Sequence, residues 1–414
     1  MKRKNSVRKN SIFYATIIIF LFLVVIGGYA FKPGKEFQVN TYTEKNQLSS
    51  KAAMNIKGNF VVVWMSDNQD GSERGIFAQR FNKKGNPLGS EFQVNTYTNM
   101  KQETPAAAMD KKGNFVIAWR SEGQDGSSYG IFAQRFDKNG QPVGSEFQVN
   151  THVDNWQSNP TIAMDKKGNF VIAWHSDKQD SSYYGIFAQR FSKKGKPLGS
   201  EFQVNTYTKN QQWFAAIAMD EKGNFIIVWA SEKQDGSNYG IFAQRFNNKG
   251  NPLGPEFQVN TYTKGLQSYP TVAMDKKGNV VIVWQSDGQD GSDSGIFAQR
   301  YNSKGKALGS EFQVNTYTEN YQRIPTIAMD ANGNFVIAWY SNEQDGQSSG
   351  IFAQRYNSKG KAIGSEFQVN TLPDYTQSFP SAAMDKRGNF VVSWTSSIGR
   401  DGSGSGIFAR MFKR

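Results

Sequence analysis

Cysteine is absent from the 414 residues, which excludes disulfides, thiolate metal sites and cysteine nucleophiles. The absence does not by itself fix a compartment. Histidine is nearly missing: His152 and His175 are the only two, and neither recurs. No Ser/His/Asp set and no metal-hydrolase motif is visible. No segment carries apolar residues at helical spacing, so the chain reads as all-β. Long apolar runs are missing except for residues 12–26, which follow Lys2, Arg3, Lys4, Arg8 and Lys9. A basic start, an apolar run and small residues at Gly28 and Ala30 have the layout of a secretory signal. The run is also near the ~20 apolar residues of a transmembrane span. Residues 1–30 therefore read as a signal peptide or as an N-terminal membrane anchor. Both readings export residues 31–414, whether secreted, periplasmic or membrane-anchored.

What is present is one sentence of 55 residues, written seven times from Glu36, Glu91, Glu146, Glu201, Glu256, Glu311 and Glu366. A fixed period of this length signals a repeat architecture. Each copy holds four strand-like runs, in the second copy Pro105 to Asp110, Asn114 to Trp119, Gly130 to Phe136 and Glu146 to Thr151, punctuated by Gly, Asn, Asp and Ser. The first run is small, the second apolar on both faces, the third mixed, and the fourth alternates apolar and polar. A strand apolar on both faces must be covered on both sides, and an alternating one suits an edge. That gradient predicts a seven-bladed β-propeller with four antiparallel strands per blade, a β-solenoid being the alternative. The chain opens on a fourth-type strand and ends on a third-type one. The phase predicts a ring closed by strand 36–41 pairing with strand 406–412, because an open ring would expose two apolar sheets.

In such a blade the hairpins after the first and third strands share one face, the bottom, and the loops after the second and fourth share the top. Formal charge tallies to about +15 on the bottom and about −10 on the loops after the second strand, enough to steer charged partners. An anionic membrane or a polyanion is thus a candidate partner for the bottom. Residues 31–35 would hold that face near the lipid if residues 1–30 stayed in the membrane. Nucleic acid is not expected for an exported chain.

Candidate chemistry sits on the top. Asp70, Asp125, Asp180, Asp235, Asp290 and Asp345 recur in a Gln-Asp loop, with an acid often three residues earlier. Such oxygens are candidate Ca²⁺ ligands, although Asp before Gly and Ser also forms turns. Gln47, Gln102, Gln157, Gln212, Gln267, Gln322 and Gln377 recur in the loop from rim to axis, beside aromatics such as Trp156 and Trp213. They would either bond backbone or present amides to a carbohydrate or an extracellular protein. The second-strand tryptophans, such as Trp119, read as blade packing. The arginine of each Ala-Gln-Arg, such as Arg135, is expected to pair with the glutamate of Glu-Phe-Gln. Near-identical copies place like residues in a ring, whereas an active site needs unlike groups at one spot. The expectation is therefore a non-catalytic binding or scaffold module, with a structural envelope protein and an exported glycosidase as the other readings.

The run Gly113, Asn114, Phe115 and Trp119, with its equivalents and the GIFAQRF and EFQVNT runs, resembles repeats of bacterial secreted and surface proteins. Those repeats often accompany cadherin-like or haemolysin-type calcium-binding modules. The resemblance covers Glu36 to Arg414 and implies an exported β-repeat region. It supplies no catalytic residues, and the companion modules are missing from this chain.

Overall fold

Phe, Ile, Val and Trp alternate with small residues in runs of eight, and these runs become the strands. The computed structural model describes residues 31–414 apart from positions 347 and 398. Seven four-stranded sheets form, each running in chain order from an inner strand to a rim strand. In the first blade these are Gln47–Met54, Phe60–Asp67, Arg74–Phe81 and Phe92–Gln93. The last blade takes its rim from the other end of the chain. Strand Lys32–Gln38 pairs antiparallel with Gly406–Lys413, with Phe37 opposite Ala409 and Gln38 opposite Phe408. The expected ring closure is therefore present, with its first strand beginning four residues earlier, at Lys32, and bulged between Pro33 and Glu36.

The other rim strands are shorter than expected, two residues each. The reason is an asparagine. After Val94 N–H bonds the Ile76 carbonyl, the Asn95 side chain replaces backbone: its Oδ1 accepts from Ile76 N–H at 2.7 Å while its Nδ2 donates to Tyr97 O. Seven asparagines do this, from Asn40 to Asn370. The ladder continues without a long edge open to other chains.

Each second strand is buried over its first five residues, and its tryptophan is 0 % exposed in all seven blades. Trp64 packs in one cluster with Val391, Ile407 and Ala409 of the preceding blade, so the rings fill the space between blades. Their indole Nε1 atoms have no hydrogen-bond partner, which makes the rings apolar filler. Truncating such a side chain costs roughly 3–5 kcal/mol.

Polar clamps lock the blades at both ends. On the top side each Glu Oε2 accepts from the backbone N–H and hydroxyl of a threonine one blade earlier. The N–H bonds are 2.6 to 2.8 Å long, from Glu91 on Thr41 round to Glu36 on Thr371. The other carboxylate oxygen accepts from the Gln-Asp loop glutamine, such as Gln124 Nε2 on Glu146 at 2.5 Å. In the seventh blade, where the loop carries one extra residue, Arg400 pairs with Glu36 instead. The expected arginine–glutamate pairs are thus corrected: the glutamate is already held. The arginines reach the next blade's bottom hairpin, as Arg135 does on Lys193 O at 3.0 Å and Arg300 on Ser358 O at 2.9 Å.

The transmembrane expectation is also corrected. Among the described residues no helix is long and apolar enough to cross a membrane, and the strands form seven separate four-stranded sheets rather than one closed barrel. Residues 1–30, on which the signal or anchor reading rests, lie outside the described residues.

Candidate functional site

The inner strands are not regular. Each has a bulge after its second residue, where the register with the second strand shifts. The residue in the bulge has positive φ and is never glycine: Ser49, Thr104, Asn159, Phe214, Tyr269, Ile324 and Phe379, all at 49° to 56°. Such conformations disfavour L residues, β-branched ones most, and strain of this kind gathers at functional sites. Bulges likewise concentrate beside active sites, where they re-aim side chains. The inner strands contact one another in a closed circle, so the seven bulges ring the top end of the central channel.

This is also where the copies differ. Blades share Gly-Asn-Phe-Val and Gly-Ile-Phe-Ala-Gln almost without change, yet the bulge residue, its predecessor and the residue after each tryptophan vary from blade to blade. The last of these reaches the next blade's bulge. Thr395 accepts from Ser49 N–H at 3.1 Å, and Gln285 from Ile324 N–H at 3.3 Å.

Two sectors result. In the charged one, Glu103 is 4 % exposed and is held between Arg74 and Arg120. Arg74 also bonds Asp67 at 2.7 Å. Arg120 donates to Ser158 Oγ at 2.7 Å and lies 4.6 Å over the Tyr129 ring, which meets Trp156 edge-on. In the aromatic sector, Trp213 lies 4.5 Å from Tyr184 and 5.0 Å from His175, and Phe214 stacks on Tyr269 at 4.2 Å. Arg323 continues the rim, 3.9 Å over Tyr321. His175 joins the sectors. Burial, and then the Arg120 charge, push its pKa down to about 3, so it stays neutral with Nδ1 unpartnered.

The residues expected from sequence are placed differently. All seven glutamines are 0 % exposed. Each Nε2 donates to a loop carbonyl, as Gln102 does to Asn99 O at 2.8 Å, and each Oε1 accepts from the ladder asparagine at 3.1 to 3.3 Å. They fix the crossing loop and present no amide to solvent. Trp156 is exposed at 48 %, and Trp213 is half-buried with its Nε1 on Gln211. The aspartates turn inward. Oδ1 of Asp70, Asp125, Asp180, Asp235 and Asp290 accepts from the N–H two residues on, at 3.1 to 3.2 Å. Oδ2 of Asp345 accepts from Gln368. Oδ2 of Asp125 packs so close to Gly130 that a Cβ there would push the carboxylate out of place. Ca²⁺ takes six to eight oxygens. Among the described residues no group of three or more His, Cys, Asp or Glu is gathered for a metal. Glu103, Arg120 and Arg323 are not marked by what recurs, and His175, one of two unrepeated histidines, gains its place only in the structure; the signal lies where the copies disagree.

No protein-family model matches the chain, and no curated protein is similar to it. Solved structures do share its fold. A protein of unknown function from Dyadobacter fermentans matches with TM-score 0.55 at 12 % identity, covering 94 % of this chain and 100 % of that one. An ulvan lyase bound to -[GlcA(1-4)Rha3S]- matches at 0.56 and 10 % identity, covering 91 % and 95 %. The α-L-arabinanase of Penicillium chrysogenum, complexed with arabinobiose, matches at 0.53 and 12 % identity, covering 80 % and 100 %. The likeness establishes a seven-bladed antiparallel propeller.

The expectation of a chain without catalysis is corrected by these structures, since enzymes are among the propellers it matches. The argument behind that expectation also fails physically: unlike groups, Glu103, Arg120 and His175, do meet at one spot on a scaffold of like ones.

Proposed function

We propose that the chain recognises a carbohydrate at the top mouth of its channel. The observation that carries the reading is the coincidence of blade-to-blade differences with the strained bulges. Seven equivalent positions hold seven different environments, which suits a ligand that is itself asymmetric. The mouth offers what ligand sites combine, aromatic faces with a few fixed polar groups. Sugar C–H faces would lie on Trp213, Phe214 and Tyr269, and hydroxyls or acidic substituents would meet Arg323 and Arg120. Two of the matched propellers carry sugars in their descriptions, a sulfated uronate-rhamnose unit and arabinobiose, which supports a carbohydrate over a protein partner. The basic, apolar start of the chain supports a place outside the cytoplasm.

The test is a glycan panel with Trp213→Ala and Tyr269→Ala, each checked for an unchanged melt. A glycan retained by the wild type and released about tenfold or more faster by both variants supports the site. Retention indifferent to both removes it. The same incubations, followed for new chain ends, read out whether the bound sugar is also cleaved.

A further inference from the structure

The bottom face carries a second feature, built from different residues. Hairpins of neighbouring blades leave grooves between them. One, of about 870 Å³, lies between the last blade and the first, and a second, of about 760 Å³, lies between the second and third. The first is lined by Lys57, Lys83, Lys84, Lys386, Arg387 and Lys413. None of these makes an ion pair among the described residues. Its one acid, Asp385, is buried: Oδ1 accepts from Arg387 and Asn389 N–H at 2.8 and 3.0 Å, and Oδ2 from Asn389 Nδ2. The asparagines set the spacing. Asn59 Oδ1 takes the Lys83 N–H at 3.1 Å, tying the two lysine hairpins of one blade together.

The charge is not spread evenly round the ring. Bottom hairpins of the last, first, second and third blades, with the terminal Lys413 and Arg414, total about +11, and those of the other three about +4. The arc ends where Glu221 of the fourth blade pairs with Lys166 of the third at 3.5 Å. Both large grooves fall within it.

We propose that this arc binds a strand of anionic polysaccharide, bearing sulfate or uronate groups, laid across successive grooves. It is a surface apart from the top mouth and does not depend on that site. Exposed cations of two neighbouring blades face one groove, which suits an anionic strand lying along it, whereas a flat lipid surface would touch the hairpin tips and leave the groove unfilled. Stacking platforms hold single-stranded nucleic acid. Here Phe115 and Phe136 are the aromatic residues among the linings of the two large grooves, and both are buried.

The full chain is run through gels containing dextran sulfate, at low and high salt. Single-stranded DNA and phosphatidylserine vesicles serve as parallel probes. The double reversals Lys57→Glu/Lys386→Glu and Lys111→Glu/Lys167→Glu are expected to weaken retardation by about tenfold at low salt. Lys304→Glu/Lys359→Glu, an equal charge change outside the arc, is expected to shift it less than about twofold. These lysines are exposed turn residues, and a melt of each variant checks the fold. Equal loss from all three pairs, or equal or tighter binding of DNA or vesicles, overturns the proposal. Trp213→Ala leaves this binding unchanged, which keeps failure here separate from failure at the mouth.

Discussion

His175 shows how one side chain in a repeated frame acquires its own chemistry. At the same place the other blades carry Met65, Arg120, Ala230, Gln285, Tyr340 and Thr395. His175 is 3 % exposed and packs against Tyr184 and Trp213, and its pKa falls from an ordinary 6.5 to about 3. Below pH 6.5 the unfolded chain takes a proton that the folded one refuses. Its contribution to stability is therefore complete above pH 6.5 and drains away as the pH falls towards 3, by about 1.4 kcal/mol per unit. Denaturant titrations at pH 7 and 4.5 should show wild type losing about 2–3 kcal/mol more than His175→Gln; equal losses would mean the ring is protonated in place. The rim clamp is a residue-scale device of another kind. In Glu201→Gln the amide turns a donor toward either the Thr151 N–H or the Gln179 amide, both of which now donate to the carboxylate at 2.5 to 2.6 Å. The expected cost is about 1–3 kcal/mol in the same titration.

At the scale of the strand, two rules act along one chain. The apolar alternation, the seven tryptophans and the phase of the copies are periodic, so they are legible in the sequence, and sheet order and ring closure follow from them. The bulges were not readable. Five of the seven positive-φ residues precede proline, among them Thr104 and Ile324, and nothing local marks a β-branched residue as left-handed. The short rim strands escaped for a related reason: Asn95 completes the ladder with a side chain, which no strand propensity registers. Thr104 tests whether the bulge stores strain. It sits at φ 51° with a buried, unpartnered Oγ1, while Asn159 holds the equivalent position at φ 50°. Asparagine tolerates this region and threonine does not, a difference of order 1 kcal/mol. Thr104→Asn should raise the melting temperature and weaken glycan retention at the mouth. A lowered melt would show that the threonine is comfortable there and the strain argument misplaced.

For the whole molecule, the ring makes every blade boundary nearly equivalent, and the chain's opening is one boundary among seven. From the third strand to the clamp glutamate the ordinary link has nine residues, such as 82–90 before Glu91, with Pro87 bridged to Phe81 and Leu88 N–H bonding Arg80 O. At the opening, Pro33 faces Phe412 in the same way, and Arg410 Nε bonds Gly34 O at 2.9 Å. Residues 31–35 thus rebuild the second half of a link, and Lys413 with Arg414 supply the start of its first half. Joining Arg414 to Phe31 through two added residues restores the usual length. A permuted chain that begins at Glu256 and ends at Pro255 should then close through Glu256, whose carboxylate already takes Thr206 N–H at 2.6 Å and Gln234 at 2.6 Å. Its melt is expected within a few degrees of the original, because the same contacts form round the same circle. Deleting residues 31–41 instead removes a rim strand, the Glu36 clamp on Thr371 and the Arg400 pair together. That chain should lose cooperative unfolding. A permuted chain that fails while the deletion melts normally would mean that stability resides in single blades rather than in the closed ring.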